Sequence, residues 1–337
     1  MFVTNSLTGG GAERSINLII NELIHREWQV SLVPINSSGP DQVVPMCEVF
    51  ALNRQWRGTP QNTVRALWQF HRVVRLWNPD VIVLNCDLPE MFGAMLLSSR
   101  KLVAIEHSSI PWVQRAQFGK FVRRILELRG VTWVSVSSHI EIWPKGRKAR
   151  AILQNPLQSI GYSEIHKASQ GISRLVFIGR FSPEKHPEIA LEIGAATGKE
   201  VVFIGSGAMQ NSIEVAATAR GIESIFRGQV INPWQEIQAG DVLIVPSSTE
   251  GDGLVVIEGL RQGIPMLVAD IPAFRRFGLL EDNYCLGLSD FVSRIKKFIN
   301  SPDGLKVPFE IANTILSERE LDSVGDSWET FINQLSL

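Results

Sequence analysis

The chain has 337 residues, 45% of them hydrophobic and 20% charged, a composition ordinary for a globular protein and a length that favours two domains over one core. No apolar run approaches the ~18 residues of a membrane span, and no charged start leads into a long apolar stretch, so the sequence predicts a cytoplasmic protein without a secretory signal. The net charge of -1 divides unevenly, with 18 Lys+Arg against 11 Asp+Glu in residues 1–155 and 15 against 23 in 156–337. Attraction to an anionic surface would therefore rest on the first half, unless charge is merely partitioned between two domains.

Met1 to Thr4 is a very short apolar run. It is followed by NSLTGGGAER and then SINLIINELIHREW, where Ile16, Ile19, Ile20, Leu23 and Ile24 mark a helix stripe. A strand entering Gly9, Gly10 and Gly11 and leaving as a helix is an anion-binding arrangement. Glycine amides and a helix N-terminus both turn positive charge toward the loop. The spacing fits neither a nucleoside-triphosphate loop nor a dinucleotide fingerprint, and a flexible connection is the other reading. Strands are expected at Gln29–Pro34, around Val49–Leu52, in DVIVLNCD and at Lys101–Ile105, with helices at Thr63–Trp77 and Leu88–Ser99. This alternation predicts a doubly wound parallel sheet. The last of these strands delivers Glu106 and His107 at its carboxyl end, beside Ser108 and Ser109, where a substrate-facing group belongs, although a lone His also serves structure. Trp112–Arg129 has the period of an amphipathic helix, with Phe118, Phe121, Val122, Ile125 and Leu126 apolar and Arg115, Lys120, Arg123 and Arg124 largely on another side. Such a face fits solvent or anionic lipid. A strand at Val131–Val136 and the basic cluster WPKGRKAR follow.

Asn155-Pro156 closes the first half, and the polar stretch Ser159–Gly171 reads as a linker. Arg174–Ile178 then opens a second series whose first turn, GRFSPEKHPE, puts Arg180 and Lys185 on one loop and Pro187 at a helix N1 position. A fork-shaped guanidinium and a point-charge ammonium at a strand's carboxyl end suit a diphosphate, or are two exposed side chains at a turn. Glu200–Ile204 feeds Gly205-Ser206-Gly207, but the third glycine of a dinucleotide site is absent, and Glu223 precedes the next strand instead of ending it. A helix near Pro233–Ala239 leads into DVLIVPSSTEGDGLVVIEGLRQGIPMLVAD, residues 241–270, which reads as strand, loop, helix and strand. Glu250 falls at the carboxyl end of that strand, where ligands of parallel sheets collect. A helix starting near Gly253 carries Glu258 roughly 8 Å along at ~1.5 Å per residue, so both carboxylates can address one elongated ligand. Gly251 and Gly253 admit close backbone approach. The other reading is that one carboxylate is a charge favoured by the helix dipole and the other part of a solvated face. Asp290–Ile299 and Phe309–Leu337 are predicted helical. Cys47, Cys86 and Cys285 lack paired spacing and fit reduced buried thiols better than disulfides or zinc. With no Asp-x-Asp in the chain, the charge of a diphosphate would be met by Arg180, Lys185 and helix-terminal amides without a metal.

GGGAER (9–14), His107 in IEHSS, QNP (154–156), GRFSPEKHPE (179–188) and above all Glu250 with seven residues before Glu258 make the chain resemble a known family over almost its whole length. It is similar to the GT-B glycosyltransferases, specifically the retaining, nucleotide-sugar-dependent family 4, group 1 type. The resemblance implies an α/β fold of two Rossmann-like doubly wound parallel-sheet domains facing across a cleft. It places an acceptor domain at 1–155, a linker at 156–171, a donor domain at 172–315 and, at 316–337, a C-terminal helix crossing back to the first domain. It implies that Arg180 and Lys185 bind the donor diphosphate, Glu258 the ribose and Glu250 the donor sugar. Gly253, Leu254 and Val255 would offer backbone amides, Gly10 and Gly11 would approach the phosphate from the other lobe, and His107 would contact the sugar near the reacting carbon. Two departures stand out. Asp252 occupies a position where relatives have Phe or another apolar residue, adding a third carboxylate near the donor. Relatives also have a few residues before the counterpart of Phe2, so either the sequence starts late or the inner strand is short.

The expected reaction is transfer of a hexose from a UDP- or GDP-linked donor to an acceptor hydroxyl with retention, in cell-surface polysaccharide or glycolipid synthesis. No cofactor beyond the nucleoside diphosphate sugar and no nucleic-acid partner is expected. The expected acceptor is a glycan or a lipid-linked precursor, with attachment to the inner face of the cell membrane through the basic first half. A nucleotide-sugar epimerase or phosphorylase of the same fold, a non-catalytic nucleotide-sugar-binding subunit and, more remotely, a nicotinamide dehydrogenase are the alternatives.

Overall fold

The computed structural model describes residues 1–7, 10–37, 45–55, 59–108, 110–113, 115–157, 171–230, 232–299, 313 and 315–336. The chain forms two compact units, Met1–Gln158 with Glu318–Leu337, and Ser159–Ser317. Gly9, Ser109, nearly all of the linker expected at 156–171 and the start of the helix expected at Phe309 lie outside the described residues.

The first unit runs β1 (Phe2–Thr4), α1 (Gly11–His25), β2 (Ser31–Pro34), β3 (Glu48–Val49), α2 (Pro60–Trp77), β4 (Val81–Asn85), α3 (Asp87–Met95), β5 (Lys101–Glu106), α4 (Ala116–Leu128), β6 (Thr132–Ser135) and β7 (Ala151–Ile152). Its strands lie in the order β3-β2-β1-β4-β5-β6-β7, each pair parallel. Side chains alternate across the sheet. Val3, Val33, Ile82, Leu84 and Ala104 pack under α2, α3 and α4, whereas Phe2, Leu32, Val83 and Val103 pack against α1. Burial on both faces is why these strands read as continuous apolar runs in the sequence.

The second unit runs β8 (Arg174–Ile178), α5 (Pro187–Thr197), β9 (Glu200–Ile204), α6 (Gln210–Ala219), β10 (Ser224–Gly228), β11 (Asp241–Val245), α7 (Leu254–Arg261), β12 (Met266–Ala269), α8 (Pro272–Arg275), β13 (Tyr284–Cys285) and α9 (Leu288–Ile299). The order is β10-β9-β8-β11-β12-β13, again parallel throughout. The helix expected at Pro233–Ala239 is a single 3-10 turn, Pro233–Glu236, opened by the Asn232 side chain accepting from Trp234 N–H at 3.2 Å. The last helix, α10 (Leu321–Ser336), belongs to the first unit. Trp328 is buried there 5.5 Å from the ring of Phe2, and Arg26 of α1 reaches Asp326 at 2.6 Å.

The largest departure from expectation is Arg123. Helical period puts it with the basic residues of an exposed face, yet its side chain is 2% exposed. Its guanidinium donates to Glu90 Oε1 at 2.6 Å and Glu106 Oε2 at 2.5 Å, and lies 4.7 Å from the ring centre of Trp133. The Trp112 indole donates to Glu90 Oε2 at 2.9 Å. Two buried carboxylates thus share one cation. Burial pushes the Glu90 carboxyl up to about 7 against the pull of Arg123, and moves Glu106 in the same direction. The partners come from α3 and β5, so no periodicity within α4 reveals them. Removing the cation strands both carboxylates, an effect of ~3–5 kcal/mol. Arg123→Met should sharply lower the urea unfolding midpoint, and the triple variant with Glu90→Leu and Glu106→Leu should regain most of the loss.

Candidate active site

Both sheets reverse their strand order between the first strand and the fourth, at β1/β4 and at β8/β11. The crevice outside the carboxyl ends at such a reversal is where open parallel sheets receive ligands. In the second unit, β8 leads into Gly179 and Arg180, then a 3-10 turn at Pro183–Lys185, then α5, with Pro187 at its first position and His186 as N-cap in the left-handed region at φ 50°. Phe181 is fully buried among Phe177 and Phe203, each 5.8 Å away, which pins the loop and leaves the neighbouring Arg180 exposed. Gly205 explains the pattern that looks like a dinucleotide motif. It holds φ 135°, and a Cβ there would stand 1.9 Å from the Gly179 carbonyl oxygen. The glycine is needed so that the β9 loop can lie against the β8 loop.

The loop after β11 meets the loop after β8 directly. Lys185 Nζ donates to Glu250 Oε1 at 2.5 Å, Ser247 Oγ donates to the same oxygen at 3.1 Å, and Ser248 N–H donates to the Glu184 carbonyl at 3.0 Å. Two of the expected residues, 65 positions apart, are therefore joined at the switch point. Their side chains are 25% and 9% exposed, so the ammonium offsets much of the cost of holding a carboxylate away from water. Arg180 makes no hydrogen bond or ion pair among the described residues and remains available to an anion.

Gly253 caps α7 in the left-handed region, φ 64°, and as a glycine brings no side-chain cap to the first turn that holds Leu254 and Val255. Glu258 lies on the next turn but is buried, its Oε2 accepting from the Trp234 indole at 3.0 Å. Asp252 also points inward, where Arg276 Nη2 donates to its Oδ1 at 2.7 Å.

In the first unit, Gly10 caps α1 with its carbonyl accepting from Arg14 N–H at 3.3 Å, and Gly11 begins the helix. His107 follows β5, with Nε2 2.5 Å from Asn85 Oδ1 at the end of β4. Asn85 Nδ2 in turn donates to Thr4 Oγ1 at the end of β1, at 3.3 Å. The carboxyl ends of three neighbouring strands are thereby tied together. Cys86, next to Asn85, takes φ 82° and ψ 179°, a strained conformation outside glycine that turns the chain abruptly into α3. All three cysteines are free thiols, and burial pushes Cys47 up to about 11, Cys285 up to about 12 and Cys86 well above its ordinary value.

Asn85, Trp234, Ser247 and Arg276 escaped the sequence. Asn85 and Ser247 at least stand just beyond apolar strand cores, the placement that drew attention to His107 and Glu250. Trp234 and Arg276 each act on residues 24 positions away and carry no local signal.

Known proteins show the same architecture. A family model described as "Glycosyl transferase 4-like domain" matches residues 10–152, and one described as "Glycosyl transferases group 1" matches residues 162–284. The chain belongs to the GT-B glycosyltransferases. An uncharacterized glycosyltransferase of Haemophilus influenzae is 23% identical to it, the match covering 97% of this chain and 98% of that one. The GalNAc-alpha-(1->4)-GalNAc-alpha-(1->3)-diNAcBac-PP-undecaprenol alpha-1,4-N-acetyl-D-galactosaminyltransferase of Campylobacter jejuni is 21% identical over 99% of this chain and 98% of its own. The crystal structure of Anabaena HepE in complex with UDP and glucose shares the fold with a TM-score of 0.80, at 16% identity and with 99% and 98% of the two chains covered.

In this GT-B glycosyltransferase, Trp234 keeps one oxygen of a buried carboxylate satisfied. Losing the partner of a buried charged group costs ~1–3 kcal/mol. Trp234→Phe should therefore lower the unfolding free energy by that amount in urea titration, while Trp234→Phe with Glu258→Gln should lower it less than the sum of the two single changes.

Proposed function

We propose that the protein is a retaining glycosyltransferase that moves a hexose from a UDP- or GDP-linked donor to an acceptor hydroxyl in glycolipid or cell-surface polysaccharide synthesis, without a resident metal. The observation that carries this reading is Lys185 joined to Glu250 at the β8/β11 switch point, with Arg180 exposed on the same loop as Lys185 and the glycine-capped N-terminus of α7 three residues on from Glu250. Arg180 and Lys185 supply positive charge where a nucleoside diphosphate leaves, and the Leu254 and Val255 amides add the dipole of α7. Stabilisation of that leaving group grows as the bond from the anomeric carbon to the diphosphate oxygen breaks, so it favours the transition state over bound donor. Glu250, already held in place by Lys185 and Ser247, addresses the sugar, and Glu258 the ribose. Within the first unit, Gly10, Gly11 and His107 are assigned to substrate binding. The UDP and glucose in the HepE complex and the undecaprenol-linked acceptor in the name of the Campylobacter enzyme support a nucleotide-sugar donor and a lipid-linked acceptor here.

A lipid-linked acceptor would bring the enzyme to a membrane surface. No helix among the described residues is long and apolar enough to cross a membrane. The layer formed by α2, α3 and α4 suits surface attachment instead. Helix α2 contains no acidic residue and exposes Val64, Trp68 and Leu76 together with Arg72 and Arg75. Helix α4 exposes Phe121 and Leu128 beside Lys120 and Arg124, and its one acid, Glu127, is engaged by Lys145 at 2.7 Å and Arg147 at 2.5 Å. Aromatic and basic side chains on a face without free acid fit an anionic headgroup layer.

In a thermal-shift panel of UDP, GDP, ADP and their sugars, one nucleotide should raise the unfolding temperature, since ligand at about 100 Kd adds ~2.7 kcal/mol. Arg180→Ala should then lower kcat on the order of a hundredfold, and Glu250→Ala should remove sugar transfer while nucleotide binding persists. If no nucleotide stabilises the wild type, the donor assignment fails. For the membrane, the protein should sediment with phosphatidylglycerol vesicles at low salt and be released at high salt, and Trp68→Ala with Arg72→Gln should weaken the association. Absence of binding at low salt overturns the surface assignment.

A further inference from the structure

Asp252 stands in the loop between Glu250 and the start of α7, where a third carboxylate could read the donor sugar. Its side chain is 4% exposed. One Arg276 nitrogen, Nη2, donates both to Asp252 Oδ1 at 2.7 Å and to the Asp252 backbone carbonyl at 2.5 Å. The guanidinium carbon is 4.4 Å from the ring centre of Phe277, and the Arg276 side chain is 21% exposed. The next residue, Gly253, sits against the same segment. A Cβ on it would be 3.1 Å from Phe274 and 3.2 Å from Phe277, and both rings are buried. The chain from Asp252 to the first turn of α7 is thus clamped onto the segment that follows β12 by one charge-assisted fork, a cation-π contact and two aromatic rings.

We infer that Arg276 is a positioning residue of the donor site: through Asp252 it fixes the Glu250 carboxylate and the Leu254 and Val255 amides, and Asp252 anchors the loop without reading the sugar. The physical reason lies in the cap. Gly253 offers no side chain to hold the N-terminus of α7, and a left-handed glycine is the most permissive backbone unit available. The aim of the first-turn amides then depends on what holds the residue before it. Arg276 grips that residue at its backbone carbonyl as well as its side chain, so the direction of the peptide entering Gly253 is set by the ion pair. An apolar residue at 252 would hold the loop by packing alone. Here the same task falls to a charged pair, and removing the Arg276 charge takes the fork away from a carboxylate that is only 4% exposed.

The inference rests on the donor-site reading above, and the test separates the two. Nucleoside diphosphate affinity of the wild type, measured by calorimetry, tests the site itself. Wild-type protein that binds none of UDP, GDP or ADP overturns both. Given binding, Arg276→Gln and Asp252→Asn are compared with wild type in kcat, KM and the hydrogen exchange of the Leu254 and Val255 amides. The expected result is a loss of roughly tenfold or more in kcat/KM in each variant, faster exchange confined to the start of α7, and an unchanged preference among donor sugars. The double variant Asp252→Asn/Arg276→Gln should lose little more than either single change, since both remove one interaction. Asp252→Phe/Arg276→Leu should recover most of the activity lost in Asp252→Phe, because packing then replaces the ion pair. Wild-type kinetics in Arg276→Gln, or a changed donor-sugar preference in Asp252→Asn with exchange at α7 unaltered, overturns the assignment.

Discussion

Strands of a parallel sheet share hydrogen bonds only if each runs the same way as its neighbour, so every connection must travel back to the far edge before the next strand begins. Each strand therefore ends on one edge, and each loop that can carry chemistry is gathered there. In the second unit this brings the turn after β8 beside the turn after β11, and Lys185 onto Glu250. In the first unit the same constraint aligns the ends of β1, β4 and β5, so that Thr4, Asn85 and His107 form one hydrogen-bonded line. A central strand can be as short as the three residues of β1, because pairing on both sides and burial on both faces compensate for its length.

Ion pairs in the molecule divide by burial. Arg123 with Glu90 and Glu106 is sealed in the first unit, whereas Arg276 with Asp252 buries the carboxylate and leaves the cationic side chain 21% exposed. Such pairs add little net stability but cannot lose one member cheaply, which suits them to fixing the position of backbone around them. Arg123 ties α4 to α3 and to the end of β5, one residue before His107. Lys185 with Glu250 is likewise partly open on the cationic side, and on the same loop Arg180 is exposed. At the switch point Lys185 and the exposed Arg180 offer charge that a ligand can reach, while Arg123 is kept from solvent.

Several parts of this arrangement are legible in one dimension. Arg174–Ile178 and Glu200–Ile204 are bounded as strands by the same residues in sequence and structure, because apolar runs buried on both faces end where polar loops must begin. Gly253 marks the start of α7 since a left-handed residue is needed there, and Pro187 marks the start of α5 since its missing N–H costs nothing at a first turn. Other parts are hidden for a definite reason. Arg123 looks like a solvated residue because its partners lie on other elements. Pro233–Ala239 reads as a helix, but only one 3-10 turn forms before the chain enters β11.

By itself the sequence determined the alternation of strands and helices, the parallel character of both sheets and the identity of the loops that carry Arg180, Lys185, Glu250 and His107. These follow from periodicity, chain stiffness and the polarity of strand ends, all of which act over a few neighbouring residues. Tertiary structure alone decided which of those side chains meet, that Asp252 turns inward to Arg276, that Glu258 accepts from the Trp234 indole, and that Arg123 is core and not surface. Each of those outcomes depends on a partner that folding brings from a distant part of the chain, and local pattern carries no record of where that partner will lie.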